Sequence, residues 1–112
     1  MFPCSTPDPP YYAVIFPSTK TGNDPDYDTM AVKMKTLVAE QPGFLGIESI
    51  RNASGQGITI SYWDSEAAIR NWQQHPEHKI AQAKGIALWY DDYRIRVAKV
   101  ERAYGKQDET QT

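Results

Sequence analysis

The stretch Ser61-Tyr-Trp-Asp-Ser-Glu-Ala-Ala-Ile-Arg-Asn-Trp-Gln-Gln-His-Pro-Glu-His-Lys-Ile-Ala-Gln82 decides the fold. Its start closes an apolar, β-branched run, Ile58 to Trp63, which reads as a strand. Asp64 follows as the natural N-cap of a helix. That helix turns Ala68, Ile69 and Trp72 inward and then meets Pro76. Proline lacks a backbone donor and disfavours helical geometry at the residue before it, so a break is expected at His75. Pro76 then starts a second helical piece reaching about Tyr90.

Upstream, Phe44 to Arg51 reads as another strand. Asn52-Ala-Ser-Gly-Gln-Gly57 supplies the turn that joins it to the strand ending at Trp63, so the two form a hairpin. A helix is expected from about Tyr27 to Glu40, because Met30, Met34, Leu37 and Val38 fall on one face. Asp26 or Asp28 can cap its start, and Pro42-Gly43 ends it. The first strand is Tyr11 to Phe16, stopped by Pro17, and residues 18–26 form a loop. The last strand is Tyr93 to Tyr104.

The order β-α-β-β-α-β predicts an α+β, ferredoxin-like fold with two helices on one face of an antiparallel sheet. Residues 1–10 read as a Pro-rich tail, 11–104 as the domain, and 105–112 as a polar tail. The helices leave one sheet face uncovered, yet both faces are partly apolar. On the last strand Tyr93, Ile95 and Val97 oppose Arg94, Arg96, Ala98 and Val100. Such a face marks an association surface, so a homodimer joined sheet to sheet is expected.

With 112 residues the chain has one domain's worth of sequence. Twelve Lys+Arg against fourteen Asp+Glu leave a net charge of -2, which offers no basic field for nucleic acid. No apolar run approaches the ~20 residues that cross a bilayer. The first ten residues lack the basic start and apolar core of a signal peptide, so a cytoplasmic location is expected. Cys4 is the one cysteine, which precludes a disulfide within the chain; it reads as an incidental tail residue.

Only two histidines are present, His75 and His78. Glu77 is the sole carboxylate close to them, short of the three or four ligands a transition metal needs, so no metal site is expected. His78, Gln82, Gly85 and Trp89 form one helical stripe, flanked by Ala81 and Leu88. The stripe admits two readings: a cavity wall whose few polar groups orient an apolar ligand, or a buried histidine bonded to a carbonyl with Trp89 as core. Trp63 and Trp72 are core by default. Tyr62, Tyr90 and Tyr93 could offer hydroxyls. Arg94 and Arg96 could orient an anionic or phenolate group, or pair with acids such as Glu101. The glycines form no phosphate loop, and no serine sits in a nucleophile elbow.

Three blocks carry a resemblance over about residues 11–104: Pro42-Gly-Phe-Leu-Gly46; Tyr62-Trp-x-Ser-Glu-Ala67 with Trp72, His78 and Ala81-Gln82; and Trp89-Tyr90 with Tyr93-x-x-Arg-Val-Ala-x-Val-Glu-Arg-Ala-Tyr104. Together they resemble the antibiotic biosynthesis monooxygenase (ABM) domain family, in an uncharacterised bacterial branch.

The resemblance implies a dimeric α+β barrel with a pocket between helices and sheet in each subunit. It implies a cofactor-independent monooxygenase, an oxidoreductase that oxidises a small aromatic, phenolic or quinol substrate with O₂. His78 would be the base, Gln82 would bond a substrate oxygen, and Trp72 would stack on the substrate. Trp63, Trp89, Tyr93 and Arg96 would complete the substrate-binding set. Relatives in the wider superfamily degrade heme, so heme bound by His78 or His75 is the alternative. This sequence departs from that pattern. The first strand has no Asn, and the residue ten after Trp72 is Gln82 rather than His. A non-catalytic small-ligand-binding dimer is the third reading, since fold does not fix function.

Overall fold

A computed structural model describes residues 2–20, 22 and 24–106. Strand β1 (Tyr11–Lys20) leads into helix α1 (Pro25–Val38), then the hairpin β2 (Phe44–Arg51) and β3 (Gln56–Trp63). Helices α2 (Glu66–Gln73) and α3 (Pro76–Lys84) follow. A π-helical turn, Gly85–Trp89, hands the chain to β4 (Tyr90–Tyr93) and β5 (Arg96–Val100). The sheet is antiparallel in the order β2-β3-β1, with β4 and β5 both paired to the far side of β1. This is the α+β ferredoxin-like arrangement.

One sheet face carries the helices. Tyr12 and Val14 of β1 pack there with Met34, Leu37 and Phe44 against a buried cluster of Val38, Trp63, Ala68, Ile69 and Trp72. Trp63 is 0% exposed and anchors this cluster. Its indole N–H donates to Ser61 Oγ at 2.9 Å, so the large ring is buried with no orphaned donor.

Register puts Tyr11, Ala13, Ile15 and Pro17 on the opposite face, beside Tyr62, Ile60 and Ile58 of β3 and Val100, Ala98 and Arg96 of β5. The N-terminal segment is pinned at one end of this face. The Cys4 amide donates to Glu48 Oε1 at 2.9 Å, and Thr6 Oγ1 and the Tyr11 hydroxyl share a bond of 2.9 Å. Tyr62 donates to the other Glu48 oxygen at 2.6 Å. Burial, then the Glu48 carboxylate, pushes the Cys4 thiol up from its ordinary pKa, so it stays protonated.

Several sequence expectations shift. Strand β1 continues through Pro17 to Lys20 instead of stopping at Phe16. The Pro17 carbonyl accepts the Arg94 amide at 3.0 Å on the β4–β5 side, and its missing N–H points the same way. Ser18 faces Tyr93 and Ile15 faces Arg96, so β4 and β5 keep one register across the gap. The expected single strand from Tyr93 to Tyr104 is therefore two pieces, parted where Pro17 cannot donate. It begins earlier, at Tyr90, and ends at Val100, opposite Tyr11 where β1 itself begins.

Helix α1 starts earlier than expected, and its cap is Asp24 rather than Asp26 or Asp28. Pro25 takes the first helical position, which its fixed φ favours, so the residue before it caps. Helix α2 is capped by Ser65, whose Oγ accepts the Ala68 amide at 3.1 Å, not by Asp64. Asp64 packs instead against Gly43, where φ is +84° and an added Cβ would lie 2.6 Å from Ala68 Cβ. Gly43 thus supplies both the left-handed turn and the room for α2 to close on the hairpin. The expected polar tail begins at Gly105, and residues 107–112 of it lie outside the described residues.

Candidate functional site

The break between α2 and α3 builds the site. His75 takes an extended backbone, φ -61° and ψ 130°, and caps α3 through Nδ1, which accepts the Glu77 amide at 3.2 Å. Pro76 then opens α3. The two histidines flank one indole. The Trp72 and His78 rings stack at 4.4 Å and 12°, while the His75 ring lies 5.3 Å from Trp72 at 45°.

Nδ1 of His78 is 3.0 Å from the Trp72 carbonyl oxygen. A carbonyl only accepts, so Nδ1 carries the hydrogen. In the neutral ring the lone pair is then on Nε2, which has no partner among the described residues. No fully buried side-chain N or O there lacks a partner, so Nε2 keeps some contact with solvent. Burial lowers the His78 pKa, with a smaller push from His75, against the opposing bond to the Trp72 carbonyl. The imidazole is therefore neutral at pH 7 and able to take a proton. Gln82 lies one helical turn on, half-buried, and its amide makes no hydrogen bond within the described residues.

The other sequence-nominated residues lie elsewhere. Trp63 is behind Trp72 in the closed core. Trp89 is at the far end of α3, where its indole N–H donates to Asp24 Oδ2 at 3.0 Å and its ring meets Tyr27 edge-on at 5.4 Å. The π-helical turn, closed by the Tyr90 amide on the Gly85 carbonyl, carries Trp89 into this second cluster and away from His78. Tyr93 packs against Phe16 at 5.8 Å. Arg96 is on the uncovered sheet face, at the rim of a depression of about 510 Å³ floored by Pro17, Ile50 and Ile58. The structure thus brings together Trp72 and His78, with Gln82 next along α3; it leaves Trp63 and Trp89 in separate places and puts Tyr93 with Arg96 on the lining of that depression, away from His78.

Sequence reasoning overlooked the second cluster's partners. Tyr27 also meets Tyr90 edge-on at 6.0 Å, and Tyr90 meets Phe16 at 5.3 Å. Arg51 donates to the Ser18 carbonyl at 3.3 Å, to Ser18 Oγ at 2.7 Å and to the Gly55 carbonyl at 2.6 Å. The Asp24-Pro25 pair was the available signal, since Asp before Pro marks a helix start. Among the described residues no three His, Cys, Asp or Glu side chains gather as metal ligands, and no helix is long and apolar enough to cross a membrane.

Comparison with known proteins identifies the family and supports the fold. The family model for antibiotic biosynthesis monooxygenase matches residues 10–84. The chain is 54% identical over 109 residues to the uncharacterized protein YqjZ of Bacillus subtilis, covering 97% of this chain and 96% of that one. It is 33% identical over 94 residues to the jasmonate monooxygenase ABM of Pyricularia oryzae, covering 80% of this chain but 43% of that longer protein. Among solved structures, SnoaB of Streptomyces nogalater, a cofactor-independent oxygenase, superposes with a TM-score of 0.72 at 14% identity, over 88% of this chain and 100% of that one. A dimeric ferredoxin-like protein of Thermobifida fusca superposes with a TM-score of 0.63 at 17% identity, over 81% and 92%. A domain match over most of the chain, with a near-full-length relative at this identity, shows that the chain belongs to the antibiotic biosynthesis monooxygenase family.

Proposed function

We propose that the protein is a monooxygenase that uses O₂ on a small aromatic, phenolic or quinol substrate without a resident cofactor, and that His78 is its base. The observation that carries this reading is the neutral His78 ring, fixed on Trp72 through Nδ1 with Nε2 left open. Family membership supports the reaction class, and the names of SnoaB and the fungal jasmonate enzyme support oxygen insertion on this fold.

Nε2 takes a proton from the acidic carbon or hydroxyl of the substrate. The resulting anion reduces O₂ and bonds to it as a peroxide. His78 returns its proton to the outer oxygen. For a methylene substrate the O–O bond then breaks, one oxygen stays as the carbonyl, and the other leaves as water with the second C–H hydrogen. The substrate supplies all four electrons. Trp72 presents a flat apolar surface to His78, and Gln82 offers a free amide to a substrate oxygen. The chemistry requires that the bound substrate cover Nε2 and exclude water, so that the anion is not reprotonated.

Oxygen uptake with anthrones, quinols and phenols tests the reading. Turnover of one of them that survives His78→Ala in full ends the base assignment. No uptake with any would make a non-catalytic ligand binder the better reading. A saturable hemin Soret shift at one per subunit, lost in His78→Ala, would put heme chemistry first.

The working unit in this reading is a homodimer joined through the uncovered sheet face. Ile50 is 63% and Ile58 47% exposed there. A monomer by light scattering at micromolar concentration would overturn that assembly.

A further inference from the structure

In an uninterrupted helix the Trp72 carbonyl would accept the amide hydrogen four residues on. That residue is Pro76, which has none. The sequence itself deletes the carbonyl's helical partner. The His75 amide reaches it at 3.0 Å in a tighter turn, and Nδ1 of His78 fills the remaining place at 3.0 Å. His75 shows the converse arrangement, because its Nδ1 accepts the Glu77 amide and its hydrogen must be on Nε2.

We infer that Pro76 is a positioning residue that sets the tautomer of His78. With no amide hydrogen at position 76, the Trp72 carbonyl is left to hold Nδ1–H, and the lone pair of His78 is placed on Nε2, which has no partner among the described residues. The consequence for turnover rests on His78 acting as the base; the tautomer itself does not. One junction thereby puts the chain's two imidazoles, on either side of one indole, in opposite tautomers.

Nitrogen-15 NMR of the uniformly labelled protein tests this, with long-range proton–nitrogen correlations recorded well above the histidine titration range. His75→Gln and His78→Gln assign the signals. The wild-type protein is expected to show an unprotonated Nε2 on His78 and an unprotonated Nδ1 on His75. Pro76→Ala restores the amide, and the Nε2 signal of His78 is expected to move toward the protonated position. Pro76→Glu also restores the amide and suits the first turn of a helix, so it serves where the alanine variant does not fold. A wild-type His78 with hydrogen on Nε2 overturns the inference, as does a tautomer unchanged in the folded Pro76 variants. If His78→Gln abolishes turnover while the tautomer ignores Pro76, the inference fails and the base assignment stands. If His78→Gln keeps full turnover while the tautomer follows Pro76, the base assignment fails and the inference stands.

Discussion

Two aromatic clusters lie on the helical side of the sheet, and each holds basic nitrogen. Around Trp72 the bases are His75 and His78. Around Tyr90 and Tyr27 the nitrogens are cations, the Arg51 guanidinium 5.9 Å from the Tyr90 ring and Lys20 Nζ 4.7 Å from the Tyr27 ring. Arg51 makes three hydrogen bonds to Ser18 and Gly55, Trp89 donates its N–H to Asp24, and Tyr90 donates to the Tyr27 hydroxyl at 3.5 Å. In the first cluster Nε2 of His78 and the Gln82 amide have no hydrogen-bond partner among the described residues. Residue types alone do not tell a joint from a reactive site. The hydrogen-bond count does, because a satisfied polar network rigidifies while an unsatisfied but reachable atom is free to act.

Swapping the roles is the sharpest way to break this contrast. His78→Ala is expected to lower kcat/KM on a confirmed substrate about 10²–10⁴-fold, the usual worth of a positioned base. Its urea unfolding should lose only about 1 kcal/mol, for the stacked ring and the bond to the Trp72 carbonyl. Arg51→Met is expected to do the reverse. It leaves two carbonyls and a hydroxyl short of a charged donor, at a cost of about 2–3 kcal/mol in urea unfolding, with activity per folded molecule unchanged. A large activity loss in folded Arg51→Met would erase the distinction between the two regions.

Gly85→Ala probes the second cluster from its backbone. The added Cβ would lie 2.8 Å from the Tyr90 ring edge, so the ring must give way, at about 1–3 kcal/mol of stability. A neutral melting temperature would mean the π-helical turn is not held by that contact.

Acid should separate the regions as well. Burial lowers the folded His78 pKa, so below the ordinary histidine value the unfolded chain binds the proton first. Stability then falls as pH drops from that ordinary value to the lowered folded one, and levels off below it. His78→Gln should flatten this part of the curve. The rate should hold further into acid than a free imidazole allows, then drop tenfold per pH unit, or about 1.4 kcal/mol. A rate midpoint above the ordinary histidine value would contradict a buried neutral base. The smallest effect is expected from Trp89→Phe. It removes one N–H bond to Asp24, about 1 kcal/mol by thermal melting, and spares the cap that Asp24 makes through its other oxygen.

The order of strands and helices was legible because burial imposes its period on the sequence: Met30, Met34, Leu37 and Val38 on α1, the β-branched run into Trp63, and the glycines of the hairpin turn. What stayed illegible depended on neighbours in space. Pro17 ends a strand in isolation, but β1 continues where the adjoining chain tolerates one missing bond. Trp89 keeps helical spacing from His78 on paper, yet the π-helical turn gives it to Asp24. Asp64 looked like a cap until Ser65, one residue on, proved better aligned. For the site, Trp72 and His78 came together only through the family resemblance, because the break at Pro76 hides their pairing from helical spacing. The separation of Trp63, Trp89 and the Tyr93–Arg96 pair from His78 could not be read from spacing either, because it depends on how the elements pack in space.

The missing donor at Pro17 also has a consequence in time. It divides the final strand into two short ladders on β1 in place of one long seam. Neighbouring bonds open together only where the ladder is continuous, so β5 can detach as its own small unit while β4 holds. The four residues Arg96 to Lys99 are exposed, which makes that unit shallow. In heavy water, the β5 amides bonded to β1 should exchange as a group, ahead of those between β1 and β3. The edge of this sheet would open on its own clock, set by one imino acid on the neighbouring strand.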